Sequence, residues 1–370
     1  MIYDPDARRD TPLALKLKAR IKRDGPITLA QYMEACLQDP AHGYYRTQPA
    51  IGTGGDFITA PEISQVFGEL IGLWCAVVWQ QMGSPKSFNL LELGPGRGTM
   101  MRDMLRAQCA MPGFLEAATI HLVESNEALR DLQRETLAGF HPRIEWSDHS
   151  RRLCELDGPI IIVANEFLDA RNLHQYVFHE SGVCERTVSL NAAEQLAFAE
   201  SPACKAFDVE GIREMYPGIK QGDVFEAQQD GDLTIALSQR RKSGSHAGLF
   251  IDYGCFDSGA GDTLQAVRDH KFEHPLTSPG EADLSAHVDF GQFGIDCSVT
   301  GFVVDGPTTQ AEFLGRLGII ERASKLMAAN PQRAGEIETG VARLMAPGGM
   351  GTRFKAIGIR SPDVPKLPGF

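Results

Sequence analysis

Leu90-Leu91-Glu92-Leu93-Gly94-Pro95-Gly96-Arg97-Gly98-Thr99 reads as a buried strand that runs into a glycine-rich turn and then into a helix. Glycines let a backbone approach a ligand closely, because no Cβ intervenes. The helix that follows offers unpaired N–H groups and a partial positive charge at its start, where an anionic group would sit. The spacing excludes two common nucleotide sites. A dinucleotide fingerprint, G-x-G-x-x-G, needs its third glycine at position 99, which is Thr99; a phosphate-binding P-loop needs a following Gly-Lys-Ser/Thr, which is absent. What stands here is Glu92, two residues before the first of Gly94, Gly96 and Gly98.

Outward from this turn, strand and helix alternate. A helix is predicted from Thr99 to about Ala110, a strand over Thr119–Val123 ending at Glu124, and a helix over Glu127–Leu137. A short strand, Ile144–Trp146, leads into Ser147-Asp148. Pro159–Ala164 is a continuous apolar run of the kind buried on both faces, and Leu249–Tyr253 is a further strand. Repeated βα units predict a parallel, doubly wound sheet. Residues of about 172–246 exceed what a crossover needs and read as an insertion, with a β-hairpin and an Ala/Glu-rich tail over 175–200. Near the C-terminus, a helical segment of about 308–347 reads as two helices over Thr308–Met345, between strands at Ser298–Asp305 and Arg353–Arg360. Before the sheet, residues 11–38 read as two helices, the second with a capping-box pattern at Thr28 and Gln31. His42–Pro61 is a Gly-rich loop. Pro61 then opens a helix to Met82, with Phe67, Leu70, Ile71, Trp74, Val77 and Val78 on one stripe.

The bulk properties narrow the function. The 370 residues carry a net charge of −12, which disfavours a nucleic-acid partner. No two of the eight cysteines lie within four residues of each other, so there is no C-x-x-C pair and a reducing compartment is expected. His270 and His274 are four apart, but Pro275 follows and no neighbouring Cys completes a site, so no metal is expected. The charged N-terminus has no apolar signal region, and no stretch reaches the ~20 apolar residues of a membrane span.

Acid-x-Gly-x-Gly-x-Gly at a strand end resembles motif I of the class I S-adenosylmethionine-dependent methyltransferases. The resemblance implies an α/β, Rossmann-like sheet with insertions after strand 4 and between the last two strands. Residues 1–83 are expected to form an N-terminal helical extension with the Gly-rich loop, and 84–370 the methyltransferase domain. The resemblance implies S-adenosyl-L-methionine as the cofactor. Glu124 at the second strand end is placed to accept ribose hydroxyls, the role of the fingerprint acid for nucleotides. Asp148 at the third resembles the adenine-binding position. The expected cofactor-binding set is Glu92, Gly94, Gly96, Gly98, Thr99, Glu124, Ser125, Asp148 and Asp56. In such sheets ligands bind at the carboxyl ends of the strands near the switch point. There the fourth strand ends in Ala164-Asn165-Glu166-Phe167-Leu168-Asp169. In the family that motif I resembles, the substrate-facing motif follows strand four, so the resemblance implies Glu166, Asn165 and Asp169 as the catalytic candidates, although an Asn-Glu-Phe turn also fits a helix N-cap region.

Five segments together resemble the MidA family: Gly55–Glu62, Glu92–Thr99, Ala164–Ala170, Asp252-Tyr253-Gly254 and Ala282–Phe290. That family includes the arginine methyltransferase that helps assemble mitochondrial respiratory complex I. The likeness spans about Ile21 to Ile359, with Arg171-Asn172 a departure from the family's Leu-Pro type turn. It implies a protein-arginine substrate on a complex I subunit; the charge and the lack of a long apolar stretch add the expectation of no nucleic-acid partner and no membrane insertion. The expected location is the bacterial cytoplasm, or the mitochondrial matrix in a eukaryote. A guanidinium stays protonated at neutral pH; Glu166, partnered by Asp169 or Asp56, is expected to orient it and accept its charge. The His42–Pro61 loop, with Tyr44, Tyr45 and Phe57, is expected to close over the cofactor. The competing expectation is a non-catalytic assembly factor that binds S-adenosylmethionine.

Overall fold

The computed structural model describes all residues except 1–2, 48–58, 109–110, 205–206, 229–230, 241–243 and 258. Seven strands form its central sheet: β1 (Phe88–Leu93), β2 (Ala118–Val123), β3 (Ile144–Ser147), β4 (Ile160–Asn165), β5 (His246–Cys255), β6 (Val303–Thr309) and β7 (Phe354–Arg360). Their spatial order is β3-β2-β1-β4-β5-β7-β6, and a short strand, Val288–Asp289, pairs with the end of β5. β1 to β5 are mutually parallel; β7 runs antiparallel to both β5 and β6. The order reverses between β1 and β4, which puts a switch-point crevice at the end of β1, where the glycine turn begins.

Burial on both faces explains the apolar strands. Leu90, Ile161, Val163, Leu249 and Ile251 point to one face and join the core there, whereas Leu91, Leu93, Ile160, Ile162 and Phe250 point to the other. The helices that matter for the site are α1 (Pro12–Asp24), α2 (Leu29–Gln38), α3 (Gln65–Gln81), α4 (Thr99–Gln108) and α5 (Glu127–Thr136). α3 and α4 pack very closely. A Cβ on Gly68 would lie 2.8 Å from Asp103 Cβ, and one on Gly72 would lie 2.7 Å from Met104 Cα. Buried Glu69 of α3 ties this pair to the C-terminal helices, pairing with Arg106 at 3.2 Å and Arg322 at 2.8 Å.

The two insertions stand where the motif resemblance implied, between β4 and β5 and between β6 and β7. The first carries strands Leu173–His179, Gly182–Leu190, Leu196–Glu200 and Val224–Gln228. The Ala/Glu-rich tail expected after the hairpin is thus partly a third strand, paired with Arg186–Leu190. Ile27–Thr28, between α1 and α2, adds to the edge of this sheet opposite Val188 and Thr187. Leu13, Leu17, Tyr32 and Met33 share a core with Leu173, Val188 and Leu196, so the N-terminal helices cover the insertion.

Three local expectations are corrected. The helix predicted from Pro61 is two, Ala60–Ile63 and α3, because Ser64 is extended and its hydroxyl caps α3 at Val66 N. Ser298 and Val299 end a helix that Asp289 caps through Gln292 N, and the strand begins only at Val303. The C-terminal segment has three α-helices rather than two, since Gly318, at φ +84°, breaks the chain between Gln310–Arg316 and Ile319–Ala329. In the N-terminal segment, Thr28 and Gln31 form the predicted capping box.

Candidate active site

The glycine turn is built on left-handed backbone. Gly94, Gly96 and Gly98 have φ of +63°, +53° and +80°, conformations that cost an L-residue about 1–2 kcal/mol. A Cβ on Gly94 would also stand 3.0 Å from the Phe167 ring. Gly94 N donates to Val123 O at 3.0 Å, stitching the end of β1 to that of β2.

Glu92 and Glu124 lie beneath this turn. Both are buried, and Glu92 Oε2 has no hydrogen-bond partner among the described residues. Burial, reinforced by the charge of Glu124, pushes the Glu92 carboxyl up to about 8. Burial pushes Glu124 up to about 7, against the pull of the Asn126 N–H. Glu124 Oε1 accepts from Asn126 N at 2.8 Å. An unpartnered buried carboxylate oxygen is costly, and paired carboxylates beside a close-approach turn suit a ligand that brings hydroxyl or ammonium donors.

Gln133, on α5, was not among the candidates read from the sequence. Its fully buried amide donates to Gly96 O at 2.6 Å and reaches Glu124 Oε2 at 3.5 Å, while its Oε1 accepts from Trp146 Nε1 at 3.0 Å. One side chain thus links the glycine turn and the ends of β2 and β3.

Four cofactor candidates remain. Thr99, at the start of α4, donates its hydroxyl to Glu62 Oε1. Ser125 is held by the N-terminal extension: its hydroxyl donates to Gln38 Oε1 at 3.2 Å, and its carbonyl accepts from Arg46 at 2.7 Å. Asp148 is exposed beside His149, just past the Ser147 carbonyl that accepts from Glu124 N at 2.8 Å. Asp56, Phe57 and the Gly-rich centre of the 42–61 loop lie outside the described residues.

The catalytic candidates are brought together at the end of β4. Glu166 sits at φ +53°, a conformation uncommon for a residue with a side chain and concentrated at functional sites. No helix follows; residues 166–171 form turns, so the helix N-cap alternative does not hold. Glu166 Oε1 accepts from Ala60 N at 3.0 Å and from Asn165 Nδ2 at 3.1 Å. Burial, with the nearby charge of Asp169, pushes Glu166 up to about 7 even though the Ala60 N–H pulls it down. Burial likewise raises Asp169 to about 6, opposed by a hydrogen bond from Tyr253. Asp252, at the end of β5, is fully buried and held well above the carboxylate range by burial and by Asp169 and Glu166. Tyr45 donates to Asp283 Oδ1 at 2.9 Å on the wall facing Asp169. Three crowded carboxylates, with tyrosines beside them, make a site suited to a cation.

Elsewhere, His179, Cys184 and Glu200 on the insertion sheet bring ligand atoms within 4.8 Å of one another. The His179 ring there is already hydrogen-bonded to Glu200 at 2.6 Å and to Gln221. No helix among the described residues is long and apolar enough to cross a membrane.

Comparison with known proteins gives the family. A family model for S-adenosyl-L-methionine-dependent methyltransferases matches residues 70–308. The mouse protein arginine methyltransferase NDUFAF7, mitochondrial, is 35% identical over 94% of this chain and 84% of its own. The Drosophila melanogaster homologue is 33% identical, over 96% and 87%. A COG1565 superfamily member from Burkholderia thailandensis, solved bound to S-adenosyl-homocysteine, superposes with a TM-score of 0.84 at 27% identity, covering 98% of this chain and 97% of that one. The chain uses S-adenosyl-L-methionine and belongs to the family of S-adenosyl-L-methionine-dependent methyltransferases.

Proposed function

We propose that this enzyme methylates an arginine side chain on a protein. The observation that carries the reading is the cluster of Glu166, Asp169 and Asp252 at the carboxyl ends of β4 and β5, next to the glycine turn. S-Adenosyl-L-methionine supplies a methyl group carried on a sulfonium. Gly94, Gly96 and Gly98, with Glu92, Thr99, Glu124, Ser125 and Asp148, form its binding wall; unpaired Glu92 Oε2 and half-neutralised Glu124 fit a donor-rich ligand. Glu166 Oε1 is pinned by Ala60 and Asn165, which leaves Oε2 to hold the guanidinium and orient one nitrogen. As the nitrogen gains a methyl group, Glu166 takes its proton, and a carboxyl poised near 7 is matched to that task at neutral pH. Asp169, which is hydrogen-bonded to Tyr253, flanks it and offsets the cation's charge.

Relatives named as protein arginine methyltransferases support this substrate class. The motif resemblance extends it to a subunit of respiratory complex I, in a bacterial cytoplasm or a mitochondrial matrix.

The test is transfer of tritiated methyl from S-adenosyl-L-methionine into protein extract from cells that lack the gene, followed by acid hydrolysis. Label recovered as methylarginine is expected; label in another amino acid, or none, refutes the reading. On the substrate so found, Glu166→Gln should keep cofactor Kd within about threefold and lower kcat about 10²–10⁴-fold, the usual worth of a positioned acid or base.

A further inference from the structure

Three successive backbone amides of the turn that presents Glu166 end on one side chain from a different strand. Asp252 Oδ2 accepts from three successive backbone amides, Phe167 N at 3.0 Å, Leu168 N at 2.8 Å and Asp169 N at 3.2 Å. Its Oδ1 accepts from Tyr253 N at 2.9 Å. Glu166 N, one residue earlier, donates to Ile251 O at 2.9 Å. Four consecutive amides of the turn therefore end on Ile251 and Asp252 of β5, and Glu166 is the residue that takes the left-handed conformation at the join.

The residue type follows from this geometry. Both side-chain oxygens face N–H groups, so the position needs two acceptors, which only a carboxylate offers at this length. An amide would keep one acceptor and set its NH2 against the Tyr253 N–H. Burying the carboxylate next to two others is expensive. A turn that served packing alone could be closed by backbone pairing or a neutral side chain.

We propose that Asp252 is a positioning residue for the methyl-transfer step: it fixes the Glu166–Asp169 turn so that Glu166 meets the substrate in the productive geometry. The proposal rests on the reading of Glu166 as the group that holds the guanidinium. Asp252 touches no reacting atom itself; its effect passes through Glu166.

The test is a double-mutant cycle between Asp252→Ala and Glu166→Gln, with kcat, substrate KM and cofactor Kd measured for each variant. Asp252→Ala should lower kcat at least 100-fold, with KM and cofactor Kd within about threefold of the parent protein. The double variant should turn over no more slowly than Glu166→Gln alone, because residues that act as a unit are non-additive. Should Asp252→Ala fail to fold, Asp252→Asn replaces it in the same cycle; it keeps one acceptor and should lower kcat about tenfold, again only when Glu166 is present. Losses that multiply in the double variant, or that fall equally on cofactor Kd and kcat, overturn the proposal and leave Asp252 as ordinary scaffolding. If Glu166→Gln itself turns over like the parent protein, the reading of the site fails instead.

Discussion

Gln133→Met isolates what the buried amide under the glycine turn contributes. Methionine keeps the length, approximate volume and helix propensity of glutamine, so the cavity term is small. The loss is in hydrogen bonding. Gly96 O loses its 2.6 Å donor inside the protein, and a buried acceptor left unpaired costs ~1–3 kcal/mol. Trp146 Nε1 loses its 3.0 Å acceptor, but the half-buried indole can reach water, so ~1 kcal/mol or less applies there. The 3.5 Å contact to Glu124 contributes least to stability. Its electrostatic effect is larger, because the amide helps keep the Glu124 carboxyl from rising further above about 7. A total of ~1–4 kcal/mol is expected from urea unfolding. If about half of it falls on the turn that grips the cofactor, Kd for S-adenosyl-L-methionine rises ~10-fold at pH 7. At pH 9 Glu124 is ionised with or without the amide, so the difference should narrow. Isothermal titration calorimetry at the two pH values measures both effects. A Kd within twofold of the parent protein at both, with unfolding free energy unchanged, would refute the view that Gln133 holds the site together.

Glu92, Glu124 and Glu166 all sit above their unfolded values, at about 8, 7 and 7. The folded state therefore binds protons more tightly than the unfolded one. The stability this confers is complete below about pH 4.3 and is lost as pH climbs through 7 to 8. The melting temperature of the ligand-free enzyme should fall from pH 5 to 8.5, and Glu92→Gln should flatten part of that fall; a profile that rises over this range contradicts the burial argument. Gly72→Ala sets two effects of opposite sign against each other. Alanine gains about 1 kcal/mol of helix propensity over glycine, but its Cβ would lie 2.7 Å from the Met104 backbone, and a clash with backbone that cannot swivel away costs about 1–3 kcal/mol. A net loss on denaturant unfolding is expected, and net stabilisation would show that α3 and α4 slide apart freely.

How much of this was legible beforehand depends on how far apart in sequence the partners lie. The glycine turn is a local object: three positive φ values follow from three glycines in a row of five residues, and the acids at strand ends are placed by the alternation of strand and helix. The insertion's third strand is not local. Leu196–Glu200 has the composition of a solvated tail and becomes a strand by pairing with Arg186–Leu190. Ser298 differs for the opposite reason: a cap nine residues earlier, at Asp289, commits that stretch to helix, and the apolar strand pattern holds only from Val303.

The same distance rule separates the residues that do chemistry from those that support it. Glu124 and Glu166 are conspicuous because an acid at the end of an apolar strand is locally anomalous. Gln133 is one polar residue among many on an amphipathic helix, and nothing near it says that it is buried; its partners are 37 and 13 residues away. Asp252 could be read as part of a motif, but not as an acceptor for amides 83 to 85 residues earlier. The cost of burying a polar group is met by partners that tertiary structure delivers. A sequence therefore shows where a charge is out of place, while the groups that make such a charge tolerable stay hidden until the chain is folded around it.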